Sequence, residues 1–265
     1  MRMKFIGVTA LAMASSVALP AQWIKQPAQG IPRTPDGKPD LTAPAPRTAD
    51  GKPDLTGMWQ MTVGAGYVAN LATELKPGEI RPWAAELYKQ RSENLGKDDP
   101  WTVQCLPLGT RHITNGGTAK IIQTPAVIAI LYEDLAFRQI HMDGRALPKD
   151  PNPTFMGYSV GRWESSAQPG RGVARGQEVD TLVVDTIGFN EQSWIGGNFP
   201  HTPMMRMTER YRRVSYGRME IGVTFEDPGA LVKPLRRNLT WDLTPQDEML
   251  EFVCENNKPE HLVRK

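Results

Sequence analysis

Most of the chain alternates apolar and polar positions with a period of two. Arg218 to Glu226 is the clearest run, with Met219, Ile221, Val223 and Phe225 on one face and Glu220, Thr224 and Glu226 on the other, as expected of a strand with one buried side. Leu235 to Leu243 sets Arg237, Leu239, Trp241 and Leu243 against Arg236, Asn238, Thr240 and Asp242, and Met204 to Val214 alternates in part. Glu248 to Glu255 aligns Leu250, Phe252 and Cys254. Gly57 to Met61, the apolar β-branched run Lys120 to Tyr132, Tyr158 to Glu164 and Asp180 to Thr186 read as further strands. Phe137 to Asp143 alternates and stops at Asp143-Gly144, a pair that accepts the positive φ of a tight turn, so a hairpin is expected there. The count is about nine strands. Only Pro77 to Gly96 has helical character: Glu79 in the first turn, an apolar stripe of Trp83, Leu87 and Leu95, Lys89 and Arg91 late, and Gly96 as the stop.

One helix among many strands leaves no strand–helix alternation from which to build a parallel sheet. The fold expected is mainly β: an antiparallel meander closed as a lipocalin-like β-barrel around a cavity, with a β-sandwich as the alternative. Residues 22–52 contain a repeat with a fourteen-residue offset, in which Pro32 to Thr42 returns as Pro46 to Thr56 with Ala49 in place of Pro35. Each copy has one Leu among Pro, Gly and charged residues, too little to stack as a solenoid, so the segment reads as a disordered, duplicated linker. A single domain over 53–265 follows.

The first 21 residues carry Arg2 and Lys4, an apolar stretch from Phe5 to Leu19 and then Pro20-Ala21. This is the pattern of a secretory signal peptide, too short for a membrane anchor, and it points to a periplasmic or extracellular protein with no integral membrane segment once the signal is removed. Removal takes two of the 31 basic residues and none of the 29 acidic ones, leaving a neutral formal balance. Nucleic-acid binding, which needs a basic footprint, is thereby disfavoured. In an oxidising compartment Cys105 and Cys254, the only cysteines, are expected to form a disulfide, with two buried thiols as the alternative.

Several short segments together resemble a large family of uncharacterised exported bacterial proteins: Pro53-Asp54-Leu55-Thr56-Gly57-Met58-Trp59, Cys105-Leu106-Pro107-Leu108-Gly109, Gln123-Thr124-Pro125, Asp143-Gly144-Arg145, Gly161-Arg162-Trp163-Glu164, Asp180 to Thr186, Thr208 to Arg213 and Cys254-Glu255-Asn256. The resemblance runs from about Pro53 to Asn257 and implies one complete module without a particular chemistry. Two features depart from it, the Gly/Arg/Gln insert between Glu164 and Asp180 and the duplicated linker.

The candidate catalytic residues are His141, Asp143 and Arg145, with His201 and Glu209 from later in the chain. His141 and Asp143 share a face by the period of two, so a base and a carboxylate would line one cavity, and the planar fork of Arg145 would hold an oxyanion. The plainer reading makes Asp143 the acceptor of a turn and pairs Arg145 with a surface acid such as Glu164. Gly157-Tyr158-Ser159-Val160-Gly161, with Asp185 and His201 after it, copies the order of a serine-hydrolase triad, but the strand continues through Arg162 where that motif needs a helix. Tyr158, Trp163 and Trp194 are the candidate ligand-binding aromatics, Trp194 as the exposed member in a loop. No metal or cofactor is assigned. The functional expectation is a barrel that binds a small apolar or ring-shaped compound and acts on it by acid–base chemistry, against a non-catalytic binding or surface-interaction module.

Overall fold

The computed structural model describes residues 30–62, 75–76, 78–114, 117–165 and 180–254; the signal peptide expected over 1–21 and the insert at 166–179 lie outside these residues. Nine strands form a closed barrel in sequence order: β1 (Gly57–Thr62), β2 (Gly117–Gln123), β3 (Val127–Tyr132), β4 (Phe137–His141), β5 (Tyr158–Glu164), β6 (Thr181–Ile187), β7 (Arg206–Ser215), β8 (Arg218–Glu226) and β9 (Leu235–Leu243). β9 pairs with β1 to close the ring, Trp59 opposite Leu243 and Met61 opposite Trp241. Closure pairs every strand on both sides, although β4 meets β5 over two residues only.

The mainly β barrel is as the alternation predicts, with three differences in the strands. The run Lys120 to Tyr132 is two strands, because Thr124-Pro125-Ala126 turns the chain: Thr124 Oγ1 donates to the Val127 carbonyl and accepts from the Val127 N–H. The segment around Leu250 is not a strand. It is a tail bonded through the Phe252 N–H to the Glu133 carbonyl and tied by a Cys105–Cys254 disulfide with Cα atoms 5.7 Å apart, and Leu250 on it is exposed. Thirdly, β4 and β5 do not form a hairpin. Gly144 takes the expected positive φ of 79°, but the chain then returns over residues 146–157 and β5 runs parallel to β4, paired only at Ile140–Ser159 and His141–Val160.

The barrel is filled by its inward side chains. On β7 Met207, Glu209, Tyr211 and Arg213 are buried while Arg206, Arg210 and Arg212 are exposed, and on β8 Met219, Ile221, Val223 and Phe225 are buried. Trp59 and Trp241 add two fully buried indoles. Burial of such aromatic and aliphatic side chains, each contributing roughly 1.5–3 kcal/mol, drives closure. A packed interior takes the place of the hollow one expected of a lipocalin-like barrel.

Strand direction puts the helices at one end, and where a single helix over Pro77 to Gly96 is expected there are three, α1 (Pro82–Glu93), α2 (Pro100–Gln104) and α3 (Arg111–Thr114), all between β1 and β2. α1 starts at Pro82, where the fixed φ suits a first turn. Trp83 Nε1 donates to the Gly229 carbonyl of the β8–β9 turn, and the Arg81 N–H donates to Ala230. Asp99 caps α2 through the Trp101 N–H and accepts both terminal nitrogens of buried Arg111, at 2.5 and 2.8 Å.

The duplicated segment occupies the opposite end. Each copy forms the same turn: Thr34 and Thr48 donate their N–H to Lys38 and Lys52, and the Arg33 and Arg47 guanidiniums donate to the Gly37 and Gly51 carbonyls. The first copy docks on the β7–β8 hairpin, where the Gly217 N–H donates to the Leu41 carbonyl and a Cβ on Gly217 would stand 2.4 Å from the Leu41 Cβ. The second delivers fully buried Leu55, whose N–H donates to Gln123 and whose carbonyl accepts from Trp59 Nε1. Arg213 closes this end, donating to the carbonyls of Asp54 and Tyr216 above the Trp59 ring; its burial lowers its pKa to about 10.

Candidate functional site

Because β5 meets only the last two residues of β4, the first half of β4 has no strand beside it on that side. The opening is bordered by Thr154–Ser159 and by Pro107, and holds a cleft of about 460 Å³. Leu135, Phe137, Phe155 and Met156 make its walls largely apolar, while His141 and Tyr158 supply polar groups. Its volume lies within the range of small-molecule sites, which are likewise mostly apolar with few polar groups. Leu135 and Phe137 are 61% and 59% exposed. Apolar side chains so exposed at the lip of one concavity are the kind of feature that marks a binding surface.

The His141 and Tyr158 rings lie against each other with centroids 5.0 Å apart. Arg145 Nη1 donates to the Tyr158 hydroxyl at 3.0 Å, and Arg145 Nε donates to both Asp143 oxygens at 2.9 and 3.0 Å. Asp143 therefore serves Arg145 and its own turn. The hydrogen bonds from Arg145 hold the Asp143 carboxyl down to about 2, and the same bonds raise Arg145. Glu164, the surface acid expected to pair with Arg145, instead accepts from Arg162 and Arg210.

Below the cleft, inside the barrel, lies a polar cluster of Arg138, Ser159, Thr186, Glu209 and Tyr211. Arg138 is 1% exposed; it donates to Glu209 Oε1 at 2.9 Å, to Thr186 Oγ1 at 2.8 Å and to Ser159 Oγ at 3.1 Å, with a further short contact to Glu209 Oε2. The Tyr211 hydroxyl donates to Glu209 Oε1 at 2.6 Å. Burial alone would lower Arg138, but the charge of Glu209 and its hydrogen bonds outweigh that, and the net direction is up. Burial, then the Glu209 charge, holds Tyr211 protonated far above the usual phenol range. Arg138 escaped the sequence reading because Arg on a strand is ordinarily solvent-facing. The available signal was its phase, since Arg138 shares a face with Ile140, as Glu209 does with Met207 and Tyr211.

The serine-hydrolase order has no geometric counterpart. Ser159 faces the barrel interior and bonds to Arg138 and Thr186, Asp185 bonds to Arg162 and Thr208, and His201 bonds to Ser193 at 3.1 Å and to the Thr202 carbonyl at 3.1 Å. The two glycines of that motif have steric reasons. Gly157 has φ 67° and a Cβ there would stand 2.6 Å from Thr186 Cγ2, and at Gly161 it would stand 2.4 Å from Met142 Sδ.

Of the five candidate catalytic residues, His141 lines the cleft and Arg145 and Asp143 extend from it through Tyr158. Glu209 is sealed in the barrel, linked to the cleft lining by Arg138. His201 is buried in the β6–β7 loop; desolvation lowers its pKa and keeps it neutral. Among the aromatics Tyr158 lines the cleft, and Trp163 packs against the core from β5. Trp194 is not the exposed loop residue expected: it is 3% exposed, with the Arg91 guanidinium 4.1 Å from its ring centre. No family model matches the chain, and neither a curated protein nor a solved structure shows significant similarity to it.

Proposed function

We propose that the chain works outside the cytoplasm as a small-molecule-binding β-barrel, taking a largely apolar, ring-bearing compound in the cleft at the β4–β5 seam. The observation that carries this is the interrupted pairing of β4 and β5, which opens an apolar concavity with one ring pair, His141 and Tyr158, on its wall. An aromatic ligand would pack on Phe137 and Met156 and present its polar edge to His141 and the Tyr158 hydroxyl. Binding without turnover is favoured over acid–base catalysis because both Asp143 oxygens are engaged by Arg145. Among the described residues no carboxylate bonds His141 to fix its tautomer for general-base work.

Titration of the mature protein with the naphthalene dye 1-anilinonaphthalene-8-sulfonate tests the reading. A saturable fluorescence rise with one dye per chain is expected, and Phe137→Ser should weaken it about ten-fold by removing the exposed wall. An unsaturable signal, or one indifferent to Phe137→Ser and His141→Ala, would remove the cleft as the site.

A further inference from the structure

The seam that opens the cleft also leaves part of β4 without a ladder. β3 and β4 pair antiparallel in one register, from Leu131 opposite Phe137 to Val127 opposite His141. The bonds just beyond the two ends of that run go from the Tyr132 N–H to the Ala136 carbonyl and from the Met142 N–H to the Ala126 carbonyl. They fix its phase, because bonded and non-bonded pairs alternate along an antiparallel ladder. Ala136, Arg138, Ile140 and Met142 therefore turn their backbone groups to β3, and Phe137, Gln139 and His141 turn theirs to the opposite side. On that side β5 supplies partners only from the pair Ile140–Ser159 onwards. The slanted bonds of a parallel pair reach one residue to either side of it, so this ladder ends at Gln139. Among the described residues the Phe137 N–H and C=O have no hydrogen-bond partner.

These two groups open onto the cleft. Phe137 is 59% exposed, and it lines the cavity together with Gln139. Across the gap the chain before β5 is turned away from β4, with the Thr154 N–H donating to the Gly188 carbonyl and the Gly157 N–H to the Thr154 carbonyl. A free strand edge is completed by another strand, which is how many proteins hold extended peptides. An antiparallel residue opposite Phe137 would donate its N–H to the Phe137 carbonyl and accept the Phe137 N–H on its own carbonyl. Its side chain would stand on the same face as the Phe137 ring, beside the apolar walls of the cleft. A ligand without an amide leaves both backbone groups to water. We propose that the cleft takes a short extended peptide segment centred on one aromatic residue, which exchanges two backbone hydrogen bonds with Phe137. This occupant presupposes that the cleft is the binding site.

The test displaces 1-anilinonaphthalene-8-sulfonate from the mature protein with acetyl-alanyl-phenylalanyl-alanine amide and with its depsipeptide, in which oxygen replaces the phenylalanine N–H. The peptide is expected to displace the dye, and the depsipeptide to do so about five-fold less effectively, the effect of one hydrogen bond. Amide hydrogen exchange followed by NMR gives a second readout. In the free protein the Phe137 N–H should exchange faster than those of Arg138 and Ile140, and the peptide, unlike the dye, should slow it several-fold. Failure of the dye to bind saturably would remove the cleft and the peptide together. Saturable dye binding with no displacement by the peptide, equal displacement by peptide and depsipeptide, or unchanged exchange at Phe137 would leave the cleft standing and overturn the peptide. A Phe137 N–H already protected in the free protein, with a dimer in sedimentation, would give the edge to a second copy of the chain and overturn it as well.

Discussion

Two arginine–carboxylate pairs sit within a few residues of each other on β4 and its turn, and they behave as opposites. Arg138 and Glu209 face the barrel interior at 1% and 0% side-chain exposure, while Arg145 and Asp143 meet at 45% and 37%. Both are multiply hydrogen-bonded. What differs is the solvent each has lost. For the inner pair the cost of desolvation is offset only by a complete set of partners, here Ser159, Thr186 and Tyr211 as well as the two charges. For the outer pair water can replace either partner. The inner pair joins β4 to β7 across the barrel, and β5 and β6 contribute Ser159 and Thr186. It thus ties together the four strands around the seam where ladder hydrogen bonding is shortest. The outer pair merely holds a turn and a tyrosine at the rim of the cleft.

The most forceful way to break this comparison is to remove one inner charge. Glu209→Leu leaves the Arg138 guanidinium buried without its counter-charge, and loss of about 3–5 kcal/mol is expected, read as a fall in the urea midpoint. The paired change Arg138→Met with Glu209→Leu should recover most of that loss, because an apolar pair of similar volume avoids desolvation altogether. If the double variant were as damaged as the single one, the cluster would be acting through Ser159, Thr186 and Tyr211 rather than through the two charges.

The comparison also explains which parts of the molecule were legible in the sequence. Period two revealed the β8 and β9 faces because their outward positions are mostly polar and their inward ones mostly apolar. It carries no information about direction, so the parallel seam between β4 and β5 was invisible, and with it the cleft. The return from Gly144 to Tyr158 contains no helix to announce a parallel crossover. The repeat lacks a core of its own; its turns bond internally, Leu55 is buried in the barrel core and Leu41, 36% exposed, meets the β7–β8 hairpin through its carbonyl. Arg138 and Glu209 were in phase with apolar neighbours, and that was the missed signal. Trp194 misled for the converse reason, since a loop can be covered by the cap that lies over it.

His201 extends the comparison to a buried ionisable group with no carboxylate bonded to it. Asp227 stands near, but it accepts from the Thr202 N–H and hydroxyl. Desolvation therefore wins, and His201 holds a proton less tightly in the folded chain than the 6.5 of a free imidazole. Between the lowered folded value and 6.5 the unfolded chain binds more protons. The stability that neutral His201 contributes is then complete above about pH 6.5 and falls as the pH drops through that window. Melting measured from pH 8 to 5 should decline less steeply in His201→Gln than in the parent. Parallel curves would mean that His201 titrates normally and that its burial is relieved by local opening.

The smallest structural effect is expected at the outer pair, where it sharpens the contrast most. Asp143→Asn keeps the shape of the turn and removes the charge, and melting should be indistinguishable from the parent at any salt concentration, because solvent takes over the role of the lost partner. Arg145→Ala should likewise leave the fold intact, but it frees the Tyr158 hydroxyl, which Arg145 holds at 3.0 Å. Tyr158 lies against His141 on the cleft wall, so its loosening should appear as a two- to three-fold weaker dye titration, roughly the loss expected of part of one solvent-accessible hydrogen bond. A large fall in melting temperature for either variant would place the turn among the elements that hold the barrel together, and the distinction between the inner and outer pairs would then rest on exposure alone.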